Sequence, residues 1–169
     1  SAVSGLKSLA AQGIELASNL TEVQNVVDTS FGADAAQINA WSKTAITQFG
    51  LSELQAQQFN GTMGAMLKSS GLAGGKIVEM STKLTGLTGD FASFYNLPID
   101  VAFQKIRSGI SGETEPLKQL GINMSVANME AFALTQGIRK KWAALSQGEQ
   151  AQLRYAYLMK VSADAQGDF

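Results

Sequence analysis

Along almost the whole chain apolar residues recur at steps of three and four, and glycines and capping residues break that recurrence at short intervals. Such a pattern permits many short amphipathic helices and little else. Leu6, Leu9, Gly13, Leu16, Leu20, Val23 and Val27 form a first stripe that ends near Phe31 and Gly32. Asp34 predicts the N-cap of a second helix burying Ile38, Trp41, Ala45 and Phe49, with Gly50 as its left-handed stop. Ser52 with Gln55 predicts a capping box, followed by Leu54, Phe59, Met63, Met66 and Leu67 before Gly71 closes the element. Gly71 to Gly75 predict a flexible interhelical loop. Ile77, Met80, Leu84, Leu87, Phe91 and Phe94 then make a heptad-like seam that ends as Leu97 meets Pro98, which disfavours helix in its predecessor.

Beyond Pro98, Ile99, Phe103 and Ile106 predict a short helix that fails in the turn from Gly109 to Gly112. Glu113, Thr114, Glu115 and Pro116 read as a helix start, because carboxylates suit the positive end of the helix dipole and proline is tolerated in the first turn. Gly121 ends that helix. Residues 123–135 read two ways: as a helix begun at Ser125 with Met129, Phe132 and Ala133 inward, or with an extended piece over 122–127. Ser146 with Glu149 is a second capping box, and Leu153, Tyr155, Tyr157, Leu158 and Met159 make the helix after it apolar on nearly every side, which predicts a central position. No strand alternation or fixed-period repeat persists. The expected fold class is all-α, a compact bundle of about six to eight short-to-medium helices in a single domain over 1–169, with room for a small extended segment at 122–127.

Composition narrows function by exclusion. With 45% hydrophobic and 16% charged residues and two prolines in 169, the chain is that of a folded domain with a real core. It has no Cys and no His, which removes disulfides, thiolate and imidazole ligands, and Ser-His or Cys-His catalysis. Thirteen basic residues against fourteen acidic ones give a net charge of −1, with no basic block to neutralise a row of phosphates, so no nucleic-acid site is expected here. No apolar run suits a signal peptide or a membrane span. The untapered end at Gly167, Asp168 and Phe169 reads as a cut within a longer chain.

Few motifs suggest chemistry. Ser70 to Ile77 superficially resemble a phosphate-binding loop, but Ser70 stands where the first glycine belongs and Ile77 where the magnesium-binding hydroxyl belongs. Glu113 and Glu115 could be cast as a glycosidase carboxylate pair, yet one residue apart at a helix start they serve the dipole, with Lys105, Arg107 and Lys118 near enough in sequence to pair with them. Trp41, Phe49, Phe59, Phe91, Phe94, Phe103 and Trp142 sit at core spacing rather than in a ligand cage. The basic run Arg139, Lys140, Lys141 is too short for nucleic acid and reads as a solvated helix turn. A second face of the fourth helix is small throughout, at Thr82, Gly86, Gly89 and Ser93. Two interior glycines cost about 1 kcal/mol each relative to Ala, so another backbone should approach there, from this chain or from a partner helix. No catalytic, cofactor-binding or metal-ligating residue is assigned.

Several segments are familiar together. SNLTEVQNVVD (18–28), GTMGAMLKS (61–69), LTGLTGDFASFYN (84–96), IRSGISGETEPLKQLGI (106–122) and ADAQGDF (163–169) resemble, in this order, the core region of tail tape-measure proteins of long-tailed bacteriophages and prophages. The stretch from Gly109 to Ile122 is the most specific. The resemblance implies a non-enzymatic minor tail protein, part of a much longer chain that sets tail length and occupies the tube lumen before DNA ejection. It also implies partners: tail assembly chaperones, the tail-tube protein that polymerises around the tape measure, distal tail or baseplate proteins, and further copies of itself. The implied location is the virion tail, and the host cytoplasm during assembly. A peptidoglycan hydrolase module is the alternative, since some relatives carry one as a separate domain. Gly109, Gly112, Glu113, Glu115, Pro116 and Leu117 are the expected partner-docking loop, with the glutamates as rim charges and Leu117 as anchor. Thr82, Gly86, Gly89 and Ser93 are the expected helix-packing face.

Overall fold

Capping chemistry sets the element boundaries. The computed structural model describes residues 20–169, and no strand occurs among them. Helix α1 occupies 20–31; a 3-10 turn at Gly32–Asp34 leads into α2 (Ala35–Phe49), α3 (Glu53–Ser69), α4 (Gly75–Phe94) and α5 (Ile99–Ser111). A single turn, α6 (Glu115–Lys118), is followed by α7 (Val126–Thr135), a second 3-10 turn at Trp142–Ala144, and α8 (Gln147–Val161). This is the all-α bundle that the spacing predicts. Both capping boxes form: the Ser52 hydroxyl accepts from the Gln55 amide at 3.1 Å, and the Ser146 hydroxyl from the Glu149 amide at 3.1 Å. Each is returned by the side chain three residues on, at 3.1 and 3.0 Å. Gly50 stops α2 at φ +70°.

Three boundaries differ from expectation, each for a local reason. Asp34 makes no capping hydrogen bond, because the 3-10 turn leaves its backbone at ψ 0° while Ser52 and Ser146 are extended at ψ 158° and 161°, the geometry from which a cap side chain reaches forward. Helix α4 begins at Gly75 itself, since Gly74 at φ +63° already turns the chain, so the loop is 70–74. Helix α5 runs through Gly109 and stops at Gly112, φ +104°. Of the two readings of residues 123–135, the helix begun at Ser125 is the one observed: residues 122–125 are neither helix nor strand, Ser125 caps α7 by accepting from the Asn128 amide at 3.3 Å, and Met129, Phe132 and Ala133 are buried. Of the first stripe, Leu6, Leu9, Gly13 and Leu16 lie outside the described residues; Leu20 is 43% exposed, whereas Val27 is fully buried. The anchor of α1 is its C-terminal half: Val26 and Val27 lie against Gly61, and the Phe31 ring against Gly64.

The central helix is α4, not α8. Twelve of the 20 residues of α4 are buried, and α2, α3 and α5 pack around it. In α8 only Gly148, Ala151, Leu153 and Leu158 are buried, because its tyrosines are amphipathic and lie half-buried at the rim. The Tyr157 hydroxyl reaches out to donate to the Asn123 carbonyl at 2.9 Å. The α4 seam ends at Phe91, and Phe94 is 44% exposed rather than core. Of the other aromatics expected in the core, Phe59, Phe91, Phe103 and Trp142 are buried, with Phe59 of α3 stacked on Phe103 of α5 at 4.2 Å between ring centroids, whereas Trp41 and Phe49 of α2 are only half-buried and lie against the core from its edge.

What approaches the small face of α4 is Phe49, at the C-terminal end of α2. A Cβ on Gly86 would stand 2.8 Å from Phe49 Cζ, and one on Gly89 would run into the Phe49 carbonyl oxygen. Thr82 is half-buried and Ser93 exposed, so the close contact is confined to the two glycines. A ring edge can shift, but a backbone carbonyl that ends a helix cannot do so cheaply. Gly89→Ala should therefore lose stability, by about 1–3 kcal/mol, even though alanine favours the helix by ~1 kcal/mol. Gly86→Ala should cost less. Urea denaturation of the two variants checks the order, and a gain in stability for Gly89→Ala would contradict the packing described.

Candidate functional site at the α5–α6 corner

The stretch from Gly109 to Ile122 folds into a corner whose inside and outside differ sharply. Its turn closes by backbone bonds from the Glu113 amide to the Ser108 carbonyl at 2.9 Å and from the Gly112 amide to the Gly109 carbonyl at 3.2 Å. Leu117, fully buried, plugs the interior and presses so closely on Gly109 that a Cβ there would overlap its Cδ1. This explains why glycine is needed inside a helix at Gly109. The α6 turn is finished by Gly121, φ +81°, and by the Ile122 amide donating to the Leu117 carbonyl at 3.0 Å.

Helix α8 braces the corner from behind through Arg154, a residue that sequence reasoning passed over. Its guanidinium lies over the Trp142 ring at 5.2 Å, donates to the Ile110 carbonyl at 3.4 Å, and stands where a Cβ on Gly112 would come within 2.8 Å of Nη2. Burial pushes the guanidinium pKa below its ordinary value. The signal is a cation, Arg154, set between Leu153 and Tyr155 on the apolar stretch of α8, but nothing in the spacing tells where its long side chain lands. Beside it, Met66, Ser70, Ile110, Ser111, Gln150 and Arg154 help line a shallow cavity of about 320 Å³.

The outer surface is polar. Glu113 and Glu115 are both exposed, as is Gly112, and Pro116 is half-buried. Neither glutamate lines a described cavity. The expected cations do not pair with them: Lys105 donates to the Gln119 side chain at 2.6 Å and the Pro116 carbonyl at 3.4 Å, and Arg107 to the Gln104 side chain at 3.0 Å. These long side chains satisfy themselves on their own or the adjoining helix. The Thr114 side chain makes no cap, so the two carboxylates stand outward at the start of α6. Leu117 and Gly109 are enclosed by this chain and are not available to a partner, which corrects the reading of Leu117 as a docking anchor. Arg139, Lys140 and Lys141 are exposed in the loop before the 3-10 turn at Trp142–Ala144, not on a helix.

Among the described residues no three acidic side chains gather to hold a metal ion, and no helix is long and apolar enough to cross a membrane. Leu117→Ala should cost about 2–5 kcal/mol, the usual penalty for emptying a buried leucine site, whereas Glu113→Ala with Glu115→Ala should change stability by no more than ~0.5 kcal/mol. Thermal unfolding of the two variants separates inside from outside; equal losses would mean that the glutamates are part of the packing. No protein-family model, curated protein or solved structure matches this chain.

Proposed function

We propose that this chain is a compact helical part of a phage or prophage tail tape-measure protein and that the α5–α6 corner docks it against another tail component. The observation that carries the reading is the corner itself: in the segment with the most specific resemblance, two carboxylates that form no ion pair among the described residues are held outward by a turn anchored on Leu117 and braced by Arg154. A rigid mount for exposed charge costs little on association, because the side chains of the mount are already ordered. The docking set is Gly112, Glu113, Glu115 and Pro116.

A length ruler needs extended chain, and a single helix of this many residues would span roughly 250 Å at ~1.5 Å per residue. The longest described helix, α4, has 20 residues, or about 30 Å. In this reading the segment is a folded station on the tape measure, with the extended ruler elsewhere in the longer chain. Tail-tube subunits, assembly chaperones and distal tail or baseplate proteins are the partner classes, in the host cytoplasm during assembly and in the finished virion tail. The hydrolase alternative has less support, since paired-carboxylate chemistry needs a cleft between the two groups, and Glu113 and Glu115 are both out on the surface.

The test is Glu113→Ala with Glu115→Ala in a complete phage that carries this sequence. Normal folding and accumulation of the protein, with absent or mis-sized tails, is the expected result. Normal infectious tails would overturn the docking role.

A further inference from the structure

Among the described residues Asp90 is the only charged side chain that is buried, at 4% exposure. It lies in α4, beside Gly89, and no Lys or Arg among the described residues forms an ion pair with it. Its partners come from far along the chain. Oδ2 accepts the Gly167 amide at 3.0 Å, and Oδ1 accepts the Phe169 amide at 3.3 Å. The Phe169 ring also lies against Gly50, so close that a Cβ there would overlap the ring. Residues 162–169 thus grip the two residues that adjoin the Phe49–Gly89 contact, Asp90 within α4 and Gly50 at the stop of α2.

The rest of the segment is shaped for that grip. Turns close from the Ala165 amide to the Ser162 carbonyl at 3.0 Å and from the Asp168 amide to the Ala165 carbonyl at 3.1 Å. Ser162 and Ala165 are buried, and the Gln166 side chain ties back to the Met159 carbonyl at 2.7 Å. Asp164 lies close enough to α4 that its negative charge adds to burial in holding the Tyr95 phenol above its ordinary pKa.

We propose that residues 162–169 form a latch on the packing of α2 against α4, with the Asp90 carboxylate as its catch. With the segment in place the carboxylate is hydrogen-bonded by two amides; with it withdrawn, a buried charge would be left without a partner, a strongly unfavourable state. Undocking must therefore admit water at Asp90 or loosen α4 from α2 at Gly89. The coupling is reciprocal, as any linkage between two equilibria must be. A pull or a binding partner that takes the segment away is felt at the centre of the fold.

A double-mutant cycle on the full chain tests the latch. Phe169→Pro deletes both the ring and the amide donor, and Phe169→Ala deletes the ring alone. The extra loss of Phe169→Pro over Phe169→Ala should be on the order of 5 °C in melting temperature and should shrink to less than half when Asp90 is changed to Asn. Equal extra losses in the two backgrounds would overturn the proposal, as would no extra loss at all. Should a proline variant fail to fold, hydrogen exchange in Asp90→Asn decides: at least tenfold faster exchange at the Gly167 and Phe169 amides is expected, and unchanged protection there would reject the latch.

Discussion

The fold depends on one close approach, that of the Phe49 carbonyl and ring to the glycine face of α4. Glycine at positions 86 and 89 weakens α4 as an isolated helix, and the weakness is offset only when α2 ends there. Gly50, in the left-handed conformation, makes that ending possible by turning the chain at once into Leu51, which is fully buried, and the Ser52 cap. The chain passes from α2 to α3 around this point, and α3 and α5 then cover the other faces of α4. The contact thus fixes how three helices meet, through two missing side chains and one backbone turn.

Polar groups sit unusually deep around the same helix. Thr88 satisfies its hydroxyl on the Leu84 carbonyl at 3.1 Å. Ser81 and Thr85, both fully buried on α4, have no hydrogen-bond partner among the described residues, and neither does the amide of buried Asn60 on α3. Peripheral ties lie around this centre: Asp90 with residues 167 and 169 is one and the Arg154 brace is another.

Helix identity was legible in the sequence where the signal is local. Ser52 with Gln55 and Ser146 with Glu149 are complete instructions, and Gly50 and Gly112 end helices as single residues of that type do, whereas α6 stops at Lys118 and Gly121 only turns the chain beyond it. What was not legible is the order of burial. Tyr155, Tyr157 and Met159 count as apolar and so mark α8 as central, but their shape suits a rim, whereas the Ser, Thr and Gly residues of α4 count as polar or neutral and in fact allow the closest packing. The candidate corner divided similarly. Its turn and helix start were readable, but the cover that Leu117 gives Gly109 and the reach of Arg154 from 44 residues away are tertiary facts that no spacing encodes.

Native-state hydrogen exchange tests the central position of α4 most directly. Amides of α4 between Met80 and Phe91 should be the slowest in the chain and should exchange only through global unfolding, with those of α8 opening at lower free energy. If α8 amides proved the slowest, or if those of α4 exchanged through local opening in the intact domain, the fold would not be organised around the Phe49–Gly89 contact.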